Sequence, residues 1–257
     1  MNDAISQFRG AMRAVGLEPP DVIAPGKLHR FPGIGKCNGN TAGWYKLFDD
    51  SLGGCFGDWS SGFSGNWQAK RQKPFSTAER EAFKRHVAEA QAQAEAEREA
   101  RQAEAAAKAA AIWNAAAPAS GDHPYLVRKG IQAHGARLHN GALLIPMREG
   151  GELHSLQFIE PGGDKRFLTG GRVAGCYFSI GNTQGAAALC IAEGFATGAT
   201  LHQATGHPVA VAFNAGNLKA VAQAMRERFP ALPVIVCADD DADTEGNPGL
   251  TKSSEAA

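Results

Sequence analysis

Between residues 187 and 238, three nearly uninterrupted apolar runs, AALCIA, PVAVAF and PVIVCA, alternate with two stretches of helical character at 195–204 and 218–229. A strand with one face in water alternates apolar and polar residues. A run that is apolar throughout has to be buried on both faces. Strands of that kind joined by helices form a parallel sheet with helices on both sides, so this part of the chain has to fold as α/β.

In such a sheet, ligands collect at the carboxyl ends of the strands. The first run leads directly into Glu193-Gly194, the second into Asn214-Ala215-Gly216-Asn217, and the third into Asp239-Asp240-Asp241-Ala242-Asp243. Acidic groups from two strands are therefore expected at one edge. Carboxylates crowded together repel one another and take up protons unless a cation joins them. Oxygen-only ligands with no paired His or Cys nearby suit Mg²⁺ or Mn²⁺ rather than zinc. Gly194 would let a phosphate approach the backbone at the start of a helix. Singly, these pieces also fit a solvated acidic turn and a helix-end charge. Their occurrence together at two strand ends is what points to a metal site serving phosphoryl transfer.

Upstream of the parallel sheet, further strands are expected at 143–147, 153–159, 166–168 and 176–180. Before them, residues 76–117 change character. The stretch is Ala-, Glu-, Arg- and Gln-rich without Gly or Pro, a composition with high helix propensity. Ser76 or Thr77 is placed to cap it, with Glu79 and Glu81 in its first turn. A helix of about 40 residues spans ~60 Å. Its large apolar residues, Phe83, Val87, Ile112 and Trp113, lie only near the ends, so a solvated connector is expected. Residues 1–75 hold three of the four tryptophans, Trp44, Trp59 and Trp67. There GWYKLFDDSLGGCFGDWSSG reads as two short strands, 44–48 and 55–58, around a turn at 49–54. The tryptophans are expected in the core of this small module more than as stacking surfaces for single-stranded DNA.

The 257 residues carry 26 basic and 26 acidic side chains, which argues against a binder working by bulk positive charge. No apolar run is long enough to cross a membrane and the N-terminus lacks a secretory core. Five cysteines without close spacing fit free thiols, so a cytoplasmic protein is expected.

The acidic pattern resembles the Toprim domain of topoisomerases, DnaG-like primases, recombination mediators and certain nucleases. IAEGFATG and VCADDDADTEGNPG, within 187–249, carry the likeness. The resemblance implies that Glu193 acts as general acid/base or metal ligand, that Asp239 and Asp241 are catalytic metal ligands, and that Asp243 is a further ligand. HPYLVRKGI and LLIPMREGGELHSLQFIEPGGDKRFLTGG resemble the opening of a primase core and the strand-rich subdomain before Toprim in plasmid and phage primases. They imply nucleotide- or DNA-binding roles for Arg128, Lys129, Arg148, Lys165 and Arg166.

The fold implied is α/β: a Toprim (Rossmann-like parallel sheet) domain at 185–257, preceded by a strand-rich primase subdomain at 118–184, the long helix at 76–117, and a β-rich module at 1–75. The implied activity is primer synthesis on a single-stranded DNA template from nucleoside triphosphates with Mg²⁺ or Mn²⁺, in plasmid or phage replication. A replicative helicase, separate or fused, is the further partner implied. A Toprim nuclease and a non-catalytic DNA-binding module are the alternatives. A topoisomerase would need a separate domain carrying a tyrosine nucleophile, and none is evident.

The sequence departs from the family in two places. DnaG-type primases begin with a zinc ribbon, whereas Cys37, Cys55 and His29 lack its spacing, so zinc is not expected. The chain also stops at GLTKSSEAA, where a helix begins, so a C-terminally truncated Toprim domain is expected.

Overall fold

A computed structural model describes residues 2–37, 39–71, 73–239 and 248–257. The chain divides into two compact units, Met1–Ala100 and Arg101–Ala257.

The first unit begins with helix α1 (Asn2–Arg13), followed by strands β1 (His29–Phe31), β2 (Gly43–Leu47), β3 (Gly53–Asp58) and β4 (Phe63–Gln68). These strands form one antiparallel sheet in the order β1-β2-β3-β4. The expected hairpin is β2–β3. Its turn is tighter than the sequence reading placed it, because Ser51 takes a left-handed φ of 56° and Asp50 accepts from the Leu52 N–H. Phe8 of α1 is fully buried against Tyr45, Phe56 and Trp67. The glycines of β3 make room for these rings, since a Cβ on Gly54 would lie 2.8 Å from the Phe8 ring. Trp44 is buried, and Trp59 lies beneath the Arg30 guanidinium at 4.1 Å. Trp44 is thus a core residue, whereas Trp59 and Trp67 are partly buried and pack against the core. Among the described residues, no three His, Cys, Asp or Glu side chains gather as metal ligands would. Cys55 is buried and Cys37 exposed.

Helix α2 (Thr77–Ala115) runs for 39 residues. Ser76 and Glu79 cap it reciprocally: the Ser76 N–H donates to Glu79 Oε2 at 2.7 Å, and the Glu79 N–H to Ser76 Oγ at 3.3 Å. The expectation of a bare, solvated middle is corrected by its alanines. Ala90 and Ala94 are buried in a cluster with Trp44, Phe48 and Cys55 of the first unit. In the second unit Ala105 is buried, and Ala109 packs with Leu144, Leu156 and Phe158. A side chain of one carbon lets a helix backbone approach its neighbour closely, so burial there needs no large residue. The division into two units falls inside this helix, between Ala100 and Arg101.

The second unit continues with β5 (Ala117–Pro118), α3 (Pro124–Lys129), β6 (Arg137–His139), β7 (Ala142–Glu149), β8 (Glu152–Ile159) and β9 (Lys165–Phe167). These five strands form an antiparallel sheet in sequence order. β10 (Phe178–Ile180), β11 (Leu189–Ala192), α4 (Phe195–Thr205), β12 (Val209–Val211), α5 (Leu218–Arg228), β13 (Val234–Cys237) and α6 (Pro248–Ala256) complete the chain. Their sheet has the order β10-β12-β11-β13. β11 is parallel to both neighbours, and β10 is an antiparallel edge.

Both faces of that sheet are covered, as the continuous apolar runs require. Cys190, Ala192, Val209 and Val211 face a core shared with Phe195 and Ala199 of α4. Leu189, Ile191, Ala210 and Ala212 face Leu218, Val221 and Met225 of α5. The first of these cores also contains Leu143, Ile145 and Met147 of β7. Residues 118–184 and 185–257 therefore share one hydrophobic interior.

Candidate functional site

β11 runs to Ala192, which lies directly beside Cys237, the last residue of β13. The two chains leave the sheet side by side, carrying Glu193 and Asp239 one and two residues further on. From β11 the chain passes through α4 to β12 on one side, then through α5 to β13 on the other. The crevice between β11 and β13 is thus the point where strand order reverses, which is where open α/β sheets bind ligands. Glu193 and Asp239 flank it, both half-buried. Asp241 and Asp243 lie outside the described residues.

A cation from the other sheet reaches this edge. In β9, Lys165 and Phe167 point to one side and Arg166 to the other. Phe167 packs edge-on against Phe213, with ring centres 6.3 Å apart. Phe213 follows β12 and adopts φ 74°, a conformation that a bulky residue holds only where its surroundings enforce it. This contact holds β9 against the parallel sheet. A Cβ built on Gly194 would lie 3.8 Å from Lys165 Nζ. Lys165 as a residue is exposed. Its pKa is lowered, first by burial of the ammonium and then by Lys129 nearby, while Glu193 and Asp239 act in the opposite direction. The structure therefore brings Glu193, Asp239, Lys165 and Lys129 within electrostatic reach of one another.

The other predicted cations are engaged elsewhere. Arg166 lies over the Phe158 ring at 4.0 Å and pairs with Glu160 at 3.7 Å. Arg128 donates to the Pro161 carbonyl at 3.0 Å, clasping the β8–β9 turn. Arg148 donates to Gly151 O at 2.9 Å and faces Trp113. From the rung where Leu143, Ile159 and Lys165 align, Arg148 lies five residues along β7, ~17 Å at the usual strand rise.

Two supporting residues escaped the sequence reading. Asn217 is 4% exposed; its amide donates to Cys176 O and Ala212 O, and its Oδ1 accepts from the Gly175 N–H. It pins the segment after β12 to the approach to β10. Phe213 is the second. The sequence showed Asn217 in a polar strand-end loop, but nothing in one chain marks which amide turns inward.

The donor set fits a hard divalent cation: two carboxylates at adjacent strand ends in the switch crevice. Gly194 starts α4 with an extended φ of −108° and no side-chain cap. Gly194 itself brings no side chain over the first N–H groups of α4, which would let a phosphate approach them.

Residues 188–257 match the family described as the Toprim domain. The chain is 35% identical over 269 aligned residues to a DNA primase TraC of Escherichia coli, covering 98% of this chain and 25% of that protein. A second protein of the same name and organism is 33% identical, covering 98% of this chain and 18% of its own length. The chain thus spans a quarter or less of these curated relatives. A chain from a structure of bacteriophage T7 lagging-strand DNA polymerase with primase domains bound to an RNA/DNA hybrid and dTTP aligns at 18% identity. It covers 51% of this chain and 71% of its own length with a TM-score of 0.37, too little superposition to carry weight.

Proposed function

We propose that this chain, which carries a Toprim domain over residues 188–257 and is similar along nearly its whole length to DNA primases, makes short RNA primers on single-stranded DNA by metal-dependent nucleotidyl transfer. The observation that carries this reading is the meeting of Glu193 and Asp239 at the switch crevice with the Lys165 ammonium beside them.

Glu193 and Asp239 are the groups that would hold Mg²⁺ or Mn²⁺, with Asp241 and Asp243 of the same acidic run as further ligands. When bound, the ion supplies Lewis-acid stabilisation of charge developing on the transferred phosphoryl group. Lys165 and Lys129 meet the triphosphate, and the N-terminus of α4 donates backbone N–H groups to it. Arg128 and Arg166, both exposed, remain within reach of template phosphates beyond their scaffold contacts. Arg148 anchors the β7–β8 turn to Trp113. The setting we infer is plasmid or phage replication, where a replicative helicase would expose the template.

Primer synthesis on single-stranded templates tests the assignment. Wild-type protein should incorporate nucleotides, and Glu193→Gln protein should not. Equal incorporation by both would sink it. Breakage of DNA with Mg²⁺ or Mn²⁺ and no nucleotides would instead assign the same acids to a nuclease. DNA binding unchanged by Asp239→Asn plus Asp241→Asn, with no incorporation by wild type, would mark a binding module.

A further inference from the structure

The inward face of β8 is not wholly apolar. Ser155 and Gln157 stand on it two residues apart, 0% and 3% exposed. Neither Ser155 Oγ nor Gln157 Oε1 has a hydrogen-bond partner among the described residues. Paired residues of adjacent strands share a face. Gln157 lies opposite Ile145 on β7 and Phe167 on β9, and Ile159 lies opposite Lys165. Ile145 and Ile159 belong to the larger core of the second unit, and Phe167 packs against it. The glutamine is thus a polar group set among apolar ones, and a buried acceptor left unpaired lowers stability. An apolar side chain of similar length would serve the fold better.

Ser155 is closed over by the turn at Gly171, where a Cβ would collide with its Oγ. Gln157 stands closer to the acidic centre. Its diagonal neighbour on the same face is Lys165, and diagonal neighbours in an antiparallel pair are ~7–8 Å apart, within reach of long side chains. Lys165 ends beside Gly194, in the field of Glu193 and Asp239. Rotation about the side-chain torsions of Gln157 lets its amide turn towards a ligand held by Lys165 without movement of β8. The orphan atom narrows what that ligand presents. A carboxamide oxygen only accepts, so its partner must carry a proton. The ionised oxygens of a triphosphate do not. Base edges carry N–H groups, but the bases place them differently. A ribose hydroxyl is the donor that every ribonucleotide presents in the same place.

We propose that Gln157 is a specificity-determining residue of the nucleotidyl transfer inferred above, the reading on which this inference rests. Its carboxamide oxygen accepts a hydrogen bond from a ribose hydroxyl of the incoming nucleotide, while Lys165 meets the phosphates. The unpaired acceptor is then a group held ready for substrate, at some cost to the stability of the free protein.

The test is single-nucleotide primer extension by the full chain, wild type against Gln157→Met, with a ribonucleotide and its 2′-deoxy and 3′-deoxy forms. In the variant, kcat/KM for the ribonucleotide should fall about three- to tenfold. One deoxy form should show a similar loss with wild type and no further loss with the variant, because the same bond is removed from either side. Which form does so identifies the hydroxyl. The unfolding temperature of Gln157→Met should equal or exceed that of wild type. A lower one would mark a structural amide and overturn the inference. Equal activity of variant and wild type, or losses that multiply for both deoxy forms, would overturn it and leave the primase reading standing. A wild-type chain that extends no primer would sink both.

Discussion

Lys165 shows how placement alone sets what one side chain can reach. It alternates with Arg166 on a three-residue strand, and the difference between them is which face each occupies. The face of Lys165 is fixed by Phe167 on Phe213, and that of Arg166 by Phe158 and Glu160. Lys165→Met should lower nucleotidyl transfer by ~10²–10³ in single-turnover primer extension, the usual effect of removing a preorganised charge from a phosphoryl site. Its unfolding temperature should stay close to that of wild type, because the side chain is exposed. Arg166→Met should stay within about threefold of wild type in the same assay at saturating template, since it would meet template phosphate and not the reacting triphosphate. The placement of Glu193 and Asp239 at one sheet edge was legible in the sequence because strand ends in a parallel sheet are predictable positions. The separation of Lys165 from Arg148 was not, because strand register and the pairing of two sheets are tertiary facts. Phe213 and Asn217 were hidden for the same reason.

At the scale of elements, α2 and α4 illustrate two uses of small residues. The cap of α2 was readable from Ser76 and Glu79. Glu79 has its pKa lowered to about 2, first by the Ser76 backbone N–H and then by Arg71 and the Ser76 side chain. A carboxylate shifted downward stabilises the fold above its ordinary pKa of 4.5, and that contribution fades as pH falls from there to about 2. Helical ellipticity should therefore decline over this acid range, and Glu79→Gln should remove that part of the decline. The alanine stripe of α2 was misread as solvent-facing because Ala is nearly neutral in any amphipathic pattern. Gly198 in α4 is the converse case. Alanine is the better helix former by 0.5–1 kcal/mol or so, yet its Cβ would stand 2.7 Å from Val211 Cγ2 and 3.3 Å from Val209 Cγ1. Overpacking decides the sign, and Gly198→Ala should lose roughly 1–3 kcal/mol in urea unfolding.

For the molecule as a whole, the order of elements in the C-terminal half followed from periodicity, and strands 143–147, 153–159 and 187–192 fall within or across the observed β7, β8 and β11. The N-terminal unit was only partly legible. α1, β1 and β4 were missed because short amphipathic pieces and Gly-rich edges carry little signal alone. The second unit has a core of its own that includes residues from Tyr125 to Phe213. A fragment covering 101–257 should accordingly unfold in one cooperative urea transition, and a broad, non-cooperative one would show that it needs the first unit. The central claim concerns two carboxylates around one cation. Fe²⁺ substituted for Mg²⁺, with ascorbate and peroxide, cleaves the backbone wherever the metal sits. Cuts should appear together beside Glu193 and Asp239, and both should vanish in Glu193→Gln. Cleavage at one of these positions alone, or at both in the variant, would contradict a shared ion.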